Sequence, residues 1–231
     1  MFILNYIQLT LIALWTLIFV YVLTVLLPSK VALWLTVHLW APVCQFIVLS
    51  PIKVSGLENL DKNKNYVFMS NHASFYDIPI LFWGSKRMLH FLAKSELKDS
   101  IFTGFMLKKL EMIFIERGNA QKSVASVRHA EDMIRKGLDI AIFPEGTRTK
   151  TGELGVFRKG GFKMAINSGT DIVPVTIKNS AKAWSRSNKK FRPTKVYIHF
   201  GTPIPVKDLS EEDAQKIATD TFNIINEELK K

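Results

Sequence analysis

The chain has 231 residues, and its 31 lysine and arginine side chains outnumber 20 aspartate and glutamate side chains, which gives a formal net charge of +11 at pH 7. This length allows one sizeable domain with a small accessory element. The single cysteine, Cys44, excludes an intrachain disulfide and a metal site built from several cysteines. Lys30 is the only charged side chain in residues 1–52, so the positive charge belongs to the rest of the chain, which we expect to attract polyanions.

An uncharged apolar segment opens the chain. Residues 2–27 are almost entirely apolar, and as a helix they would cross the roughly 30 Å hydrocarbon core of a bilayer. Residues 28–30 form a short polar break, and residues 31–49 make a second apolar run. We therefore expect residues 1–50 to form a membrane-embedded helical pair, either as one or two spans or as a re-entrant wedge.

Two other interpretations of this segment are weaker. A cleaved signal peptide would have a basic region before its apolar core, and the apolar run here is too long for such a core. A helical hairpin inside a soluble core is disfavoured because residues 1–50 contain almost no charge. Beside a membrane-embedded segment, an anionic lipid surface is the simplest partner for the basic remainder of the chain.

Residues 51–231 alternate between short runs rich in Ile, Phe, Val and Tyr and longer helical patterns. Such alternation predicts an α/β fold with a mainly parallel sheet flanked by helices, forming one domain over these residues. The predicted strands are residues 66–70, 89–93, 112–116, 140–143, 172–177 and 196–200.

Two helices have clear boundary signals. One is predicted over residues 120–136, with Asn119 as its N-cap and Gly137 as its stop signal. The other is predicted over residues 211–229, because Ser210-Glu211-Glu212-Asp213 has the spacing of a capping box.

Polar clusters follow the predicted strands. His72 comes after the first strand, Lys94 after the second, Arg117 after the third and the run Glu145–Arg148 after the fourth. In open α/β sheets the ligand crevice lies at the carboxyl ends of the strands, so we expect these segments to converge on one site.

His72 and Asp77 are a candidate pair for general base catalysis. A histidine can take a proton from a hydroxyl near neutral pH, and a carboxylate can hold its other ring nitrogen. Five residues apart on a continuous helix they would point about 140° away from each other, so His72 must lie in a turn before the helix. Ser74 and Asp77 have capping-box spacing and predict a helix that starts at Phe75. The alternative role of Asp77 is that of a helix cap alone.

Arg148 and Arg117 are candidate phosphate ligands, because a guanidinium group matches two phosphate oxygens. Lys94 would add positive charge, and its alternative is a solvated surface residue. We interpret residues 178–192 as a solvated basic loop. No metal site or bound cofactor is expected, because the histidines outside His72 lack a second ligand at zinc spacing.

Four blocks in this order resemble the glycerolphosphate acyltransferase superfamily, and most closely its short 1-acylglycerol-3-phosphate acyltransferases. The blocks are His72 to Asp77, Ile113-Phe114-Ile115-Glu116-Arg117, Phe143-Pro144-Glu145-Gly146-Thr147-Arg148 and Ile172-Val173-Pro174-Val175. The resemblance implies transfer of a fatty acyl group from acyl-coenzyme A or acyl carrier protein to the 2-hydroxyl of lysophosphatidate, giving phosphatidate. It also implies a membrane enzyme whose catalytic domain lies on the cytoplasmic face.

The resemblance assigns roles to individual residues. His72 and Asp77 would be catalytic. Arg117, Arg148 and Lys94 would bind the phosphate of the acceptor. Glu145, Gly146 and Thr147 would position the substrate, with Glu145 holding the loop or binding a glycerol hydroxyl. The basic cluster of residues 157–162 would contact coenzyme A or the acidic helix of a carrier protein, or form a plain flexible surface loop.

Other functions remain possible from the sequence alone. The same apparatus acylates glycerol 3-phosphate or other lysophospholipids, or moves acyl groups between phospholipids, in related enzymes. A non-catalytic, basic membrane-binding protein would give His72 no role. A nucleic-acid-binding protein is suggested by charge only, and we expect no nucleic-acid partner because no binding motif is present.

Overall fold

The computed structural model describes residues 2–19, 21, 26–101, 103–116, 120–149, 153–184 and 190–231. Its strands are β1 (Ile52–Ser55), β2 (Val67–Ser70), β3 (Leu89–Lys94), β4 (Ile113–Ile115), β5 (Asp139–Ile142), β6 (Ile172–Lys178) and β7 (Val196–Phe200). Its helices are α1 (Phe2–Ile18), α2 (Ser29–Leu35), α3 (Ala41–Val48), α4 (Asp77–Ser85), α5 (Thr103–Lys109), α6 (Ala120–Arg135), α7 (Gly160–Ser168), α8 (Ser180–Ala183) and α9 (Ala214–Lys230).

The seven described strands form one sheet in the order β1-β7-β6-β2-β5-β3-β4. Neighbouring strands are parallel except β6 and β7, which pair antiparallel. The predicted α/β fold with a mainly parallel sheet is therefore confirmed. Because β6, β2, β5, β3 and β4 run in the same direction, their carboxyl ends lie along one edge of the sheet.

Alternating side chains of the central strand bury both faces of the sheet. Phe68 of β2 belongs to the core cluster shared with α4 and the N-terminal helices. Its neighbours Val67 and Met69 point to the other face and pack in the cluster shared with α6, α7 and α9. The result is three layers, with the sheet covered by helices on both sides.

Every predicted strand is present, and each boundary is within one residue of the prediction. The sequence patterns missed β1 (Ile52–Ser55), which is short and only half-buried, so it shows no apolar run. Its pairing with β7, in which Ile52 lies opposite Val196, joins residues far apart in the chain. Such a strand is formed by its neighbour rather than by its own sequence.

The two predicted helices are confirmed. The helix α6 ends at Arg135, and Gly137 follows with a φ of +87°, a conformation that favours glycine. The predicted N-cap Asn119 lies outside the described residues. Before α9, the Ser210 N–H donates to Asp213 Oδ2 at 2.9 Å, which confirms the capping box.

The N-terminal helices pack on the sheet. Residues Ser29–Val48 form a helix that is long and apolar enough, by length and composition, to cross a membrane, and 39% of its apolar 18-residue window is buried inside the protein. Its middle turn is a π-helix over Thr36–Trp40, because Pro42 has no N–H to continue the regular bonding. The buried side chains of this helix belong to the same core cluster as the sheet and are Ala32, Leu33, Val37, Ala41 and Val48.

Two loop predictions need correction. The cluster of residues 157–162 is not a flexible loop, because Phe157 and Phe162 are buried in the core and Gly160 already begins α7. The interpretation of residues 178–192 as a solvated loop is also wrong where the structure describes them. Ala183 and Phe191 are buried, and a β-bridge joins Trp184 to Phe191.

Candidate active site

Asn71 fixes the chain at the carboxyl end of β2. Its side-chain amide donates to the Ile177 carbonyl at 2.9 Å, and its amide oxygen accepts the Ile177 N–H at 2.8 Å. The side chain is buried and extends the pairing of β2 with β6 by one step beyond the last strand residues. Sequence reasoning gave Asn71 no role, although a buried asparagine directly before the histidine of a motif is a signal for such an anchor.

The predicted pairing of His72 and Asp77 is confirmed by geometry. His72 Nδ1 lies 2.8 Å from Asp77 Oδ2, and the Asp77 side chain is fully buried. The same oxygen accepts the N–H groups of Ala73 and Ser74, each at 2.8 Å. Because a carboxylate oxygen only accepts, Nδ1 carries the hydrogen, and in the neutral ring Nε2 keeps a lone pair for a substrate proton.

The helix after this turn begins two residues later than predicted, at Asp77 instead of Phe75. The Ser74 hydroxyl accepts the Tyr76 N–H at 3.1 Å and donates to the Trp184 carbonyl at 2.8 Å. Together with the bonds to Asp77, these contacts close residues 73–76 into a tight turn, so the helix starts only after it. We call residues 71–77 the His–Asp turn.

Glu145 holds the His–Asp turn against the loop that follows β5. Its Oε1 accepts the His72 N–H at 2.7 Å, and its Oε2 accepts the Gly155 N–H at 2.9 Å. Burial raises the pKa of the Glu145 carboxyl above its ordinary value, and these two N–H bonds oppose the rise. The geometry thus supports the predicted role of holding the loop.

Gly155 was missed by sequence reasoning, since no spacing relates it to a motif. A Cβ at this position would lie 2.8 Å from Glu145 Oε2, closer than real Cβ contacts occur. The backbone N–H can approach the carboxylate only because the residue is glycine.

The imidazole of His72 stacks on the ring of Phe143, with centroids 3.8 Å apart and an angle of 12° between the planes. Phe143 in turn stacks with Phe91, at 5.9 Å. The Gly146 N–H closes a turn to the Phe143 carbonyl at 2.9 Å, and Gly146 has a φ of +73°. The ring of His72 is therefore fixed on one side by an aromatic surface and at Nδ1 by a carboxylate.

Of the predicted phosphate ligands, Arg148 lies against the His–Asp turn and Lys94 lies elsewhere at the edge of the sheet. The guanidinium carbon of Arg148 lies 3.4 Å from the ring centroid of Phe75, so Arg148 sits over the His–Asp turn. Lys94 is exposed at the carboxyl end of β3, two strands from β2, and Thr147 is exposed beyond the turn at Glu145. Arg117 lies outside the described residues.

Known proteins share this chain's sequence and fold. A family model described as Acyltransferase matches residues 51–178. The 1-acyl-sn-glycerol-3-phosphate acyltransferase of Borreliella burgdorferi is 34% identical over 168 residues, which cover 73% of this chain and 67% of that protein. A probable enzyme of the same name from Mycoplasma pneumoniae is 31% identical over 197 residues, covering 79% and 73%. The chain belongs to the acyltransferase family.

Other matches are more distant. The enzyme of that name from Cocos nucifera is 30% identical to this acyltransferase over 176 residues, which cover 76% of the chain and 56% of the plant protein. A crystal structure of the 1-acyl-sn-glycerophosphate acyltransferase of Thermotoga maritima aligns with a TM-score of 0.81 at 23% identity. That alignment covers 99% of this chain and 94% of the other, and it shows that the fold is shared.

Two cavities flank the His–Asp turn of the acyltransferase. A polar cleft of about 570 Å³ includes His72 and Glu145 in its lining and extends to the ends of β6 and α9. An apolar cavity of about 350 Å³ lies between the N-terminal helices and α4, with Phe75, Phe82 and Phe91 in its lining. Among the described residues, no group of three histidine, cysteine or acidic side chains is arranged to hold a metal ion.

Proposed function

We propose that this acyltransferase moves a fatty acyl group from acyl-coenzyme A or acyl carrier protein to the 2-hydroxyl of lysophosphatidate, giving phosphatidate for phospholipid biosynthesis. The observation that carries the proposal is the 2.8 Å contact between His72 Nδ1 and Asp77 Oδ2 inside the matched family region. The names of the relatives from Borreliella burgdorferi and Mycoplasma pneumoniae support the choice of lysophosphatidate.

His72 acts as the general base. Its Nε2 takes the proton of the 2-hydroxyl while the hydroxyl oxygen attacks the thioester carbonyl carbon. The tetrahedral intermediate then collapses, the carbon–sulfur bond breaks, and the departing thiolate receives the proton from His72. Asp77 keeps the Nδ1–H in place and stabilises the imidazolium that forms between the two steps.

No enzyme nucleophile is required. Ser70 and Ser74 are the serines nearest to His72 in the chain. The Ser70 hydroxyl donates to the Asn71 carbonyl, and the Ser74 hydroxyl is occupied by the Tyr76 N–H and the Trp184 carbonyl. The substrate hydroxyl therefore serves as the nucleophile itself.

Arg148 and Arg117 are assigned to the acceptor phosphate, with Lys94 adding positive charge at the same edge of the sheet. The position of Arg148 over Phe75 supports this assignment, because it keeps a guanidinium group beside the His–Asp turn. Glu145, Gly146 and Thr147 form the loop that positions the acceptor beside His72.

Residues 1–50 are assigned to the membrane, with the catalytic domain on the cytoplasmic face. Large apolar side chains are exposed on the outer surface of the N-terminal helices, among them Ile3 at 77% and Phe46 at 76%. Contiguous apolar surface of this kind marks a membrane or partner contact. The positive charge of the remaining chain favours an anionic leaflet beside it.

The test is a reaction of the full-length protein, purified in detergent, with lysophosphatidate and either acyl-coenzyme A or acyl carrier protein as donor. Mass spectrometry of the lipids should find phosphatidate with the natural protein and none above background with His72→Ala. Glycerol 3-phosphate and lysophosphatidylcholine serve as competing acceptors. Faster acylation of either one would overturn the assignment of lysophosphatidate.

A further inference from the structure

The polar cleft beside His72 has a basic wall that the proposed reaction does not yet use. We call it the lysine cleft, because it is lined by Lys178 at the end of β6, Lys182 in α8 and Lys230 at the end of α9. His72 lines the same cleft, so a molecule bound there lies beside the proposed general base. Arg148 is not among the described residues that line it.

Lys178 and Lys182 have positive charge available for a ligand. Within the described part of the chain, Lys182 has no carboxylate at ion-pair distance, and its side chain is exposed. Lys178 Nζ lies 3.8 Å from Glu228 Oε1, at the long limit of an ion pair, while Glu228 also pairs with Lys231 at 2.8 Å. Both side chains of this pair are 19% exposed, and Glu228 is shared between two lysines, so an anion that enters the cleft can compete with Glu228 for Lys178.

One uncharged polar side chain, that of Asn226, also lines the lysine cleft and offers an amide to a ligand. Ser180 belongs to the lining as well, but its hydroxyl oxygen is buried. The carboxylates on the lining are Glu145, which is held by backbone N–H groups, and Glu153.

Two anionic substrates must approach His72 in the proposed reaction. The acceptor has a phosphate, which is assigned to Arg148 and its neighbours. The thioester donor has a phosphopantetheine arm, with amide groups near the sulfur and a phosphate at its far end. A cleft of about 570 Å³ falls within the usual range for small-molecule sites.

We propose that the lysine cleft binds the phosphopantetheine arm of the acyl donor, with Lys178 and Lys182 on its phosphate and Asn226 on its amides. The proposal rests on the proposed function, since it names where that reaction's donor lies. It moves the donor contact from the basic cluster of residues 157–162 to the cleft that His72 lines. The shared arm accounts for coenzyme A and carrier protein with one site.

The experiment compares Lys178→Glu and Lys182→Glu with the natural full-length protein in detergent. Lys207→Glu is the matched control, because Lys207 is exposed near the amino end of β6, at the opposite edge of the sheet. Each protein is assayed with acyl-phosphopantetheine, with acyl-pantetheine, which lacks the phosphate, and with varied lysophosphatidate. Acyl-coenzyme A and acyl carrier protein are run in parallel to distinguish the two sources of the arm.

The KM for acyl-phosphopantetheine should rise by roughly 10-fold or more in both cleft variants, as expected for a lost charge-assisted hydrogen bond. The KM for acyl-pantetheine and for lysophosphatidate should stay unchanged, and the Lys207 variant should behave like the natural protein. An increase confined to the KM for lysophosphatidate would reassign the lysines to the acceptor. Equal increases in the KM for acyl-phosphopantetheine and for acyl-pantetheine would show that the lysines do not contact the phosphate.

Direct binding separates this inference from the proposed function. Calorimetry with free coenzyme A should show weaker binding to the two cleft variants than to the natural protein and the Lys207 variant. If the natural protein binds coenzyme A in this lysine-dependent way but fails to acylate lysophosphatidate, the proposed function is wrong and the donor site stands. If it acylates lysophosphatidate and the variants keep their donor KM and binding, the donor site is wrong.

Discussion

The His–Asp turn and the N-terminal helices are held in place by different kinds of interaction. In the turn, Asn71 and His72 are fixed by short hydrogen bonds to neighbouring segments, and Asp77 is bonded to His72 within the turn. In the helices, apolar side chains pack on the sheet, and a few polar contacts such as Gln8 to the Ile47 carbonyl at 2.8 Å are added.

Because of this difference, we expect substitutions in the turn to affect catalysis and substitutions on the outer surface of the helices to affect membrane binding. Hydrogen bonds are directional, so a small change in the turn moves reacting atoms and lowers the rate. The free energy of apolar burial scales with area and tolerates small shifts in position. We therefore expect changes on the outer surface of the helices to alter binding to membranes and not the reaction rate. The Tyr76 hydroxyl donates to the Gln45 side chain and links the two regions directly.

Apart from the loss of His72 itself, the largest effect is expected from Asp77→Asn, which tests the claim that directional bonds govern the turn. An asparagine oxygen can still accept the three N–H groups, so the turn keeps its shape while the charge that stabilises the imidazolium is lost. We expect kcat to fall by roughly 10²–10⁴ with little change in KM. Steady-state kinetics measures kcat and KM, and circular dichroism checks that the fold is retained. A variant with normal kcat would show that the carboxylate acts only as a structural cap.

A smaller effect on a different parameter is expected from Arg148→Ala. Loss of a charge-assisted hydrogen bond of about 1.5–3 kcal/mol should raise the KM for lysophosphatidate roughly 10- to 150-fold and leave the donor KM unchanged. Arg117→Ala should act in the same direction to a lesser degree. Steady-state kinetics with each substrate varied in turn gives the two KM values. An increase in the donor KM alone would exclude both arginines from the acceptor site.

Phe46→Ser tests the role of the N-terminal helices in membrane binding. Phe46 is 76% exposed on α3, and insertion of a phenylalanine side chain into lipid contributes about 1.5–3 kcal/mol. We expect binding to anionic vesicles to weaken by roughly 10- to 150-fold, with kcat in detergent unchanged. The matched control is Ile224→Ser, at an exposed position on α9. Equal vesicle flotation of the two variants would mean that the α3 surface does not enter lipid.

The smallest effect is expected from Gly155→Ala, which sharpens the role of Glu145 in the turn. The added Cβ would lie 2.8 Å from Glu145 Oε2 and weaken one N–H bond, so we expect kcat to fall by about 10-fold. Gly160→Ala is the control, because nothing lies within 4 Å of its Cβ position. Similar kcat values for the two variants would show that this N–H bond does not position His72.

Sequence patterns predicted what depends on nearby residues. Strands such as β7 and the capping box at Ser210 are set by local periodicity and spacing, and both were predicted correctly. The position of His72 before a helix also follows from the local spacing of its motif. Local patterns are the information that a single sequence displays most directly.

Contacts between segments that are distant in the chain could not be predicted from such patterns. Asn71 bonds to Ile177 across 106 residues, and no spacing rule relates the two. Gly161 was interpreted as part of a flexible loop, whereas it lies in α7 where a Cβ would meet Ile142 and Met69 at 3.1 and 3.3 Å. A glycine that allows close helix packing has the same sequence signature as a glycine that breaks a helix.

The central claim is that His72 removes the proton from the acceptor hydroxyl. The most direct test is the kcat of His72→Ala with lysophosphatidate, measured beside His129→Ala, which changes an exposed histidine on α6. We predict a loss of roughly 10²–10⁴ or more for His72→Ala, natural activity for His129→Ala, and unchanged folding and vesicle binding for both. Near-normal turnover by the His72 variant would contradict the account.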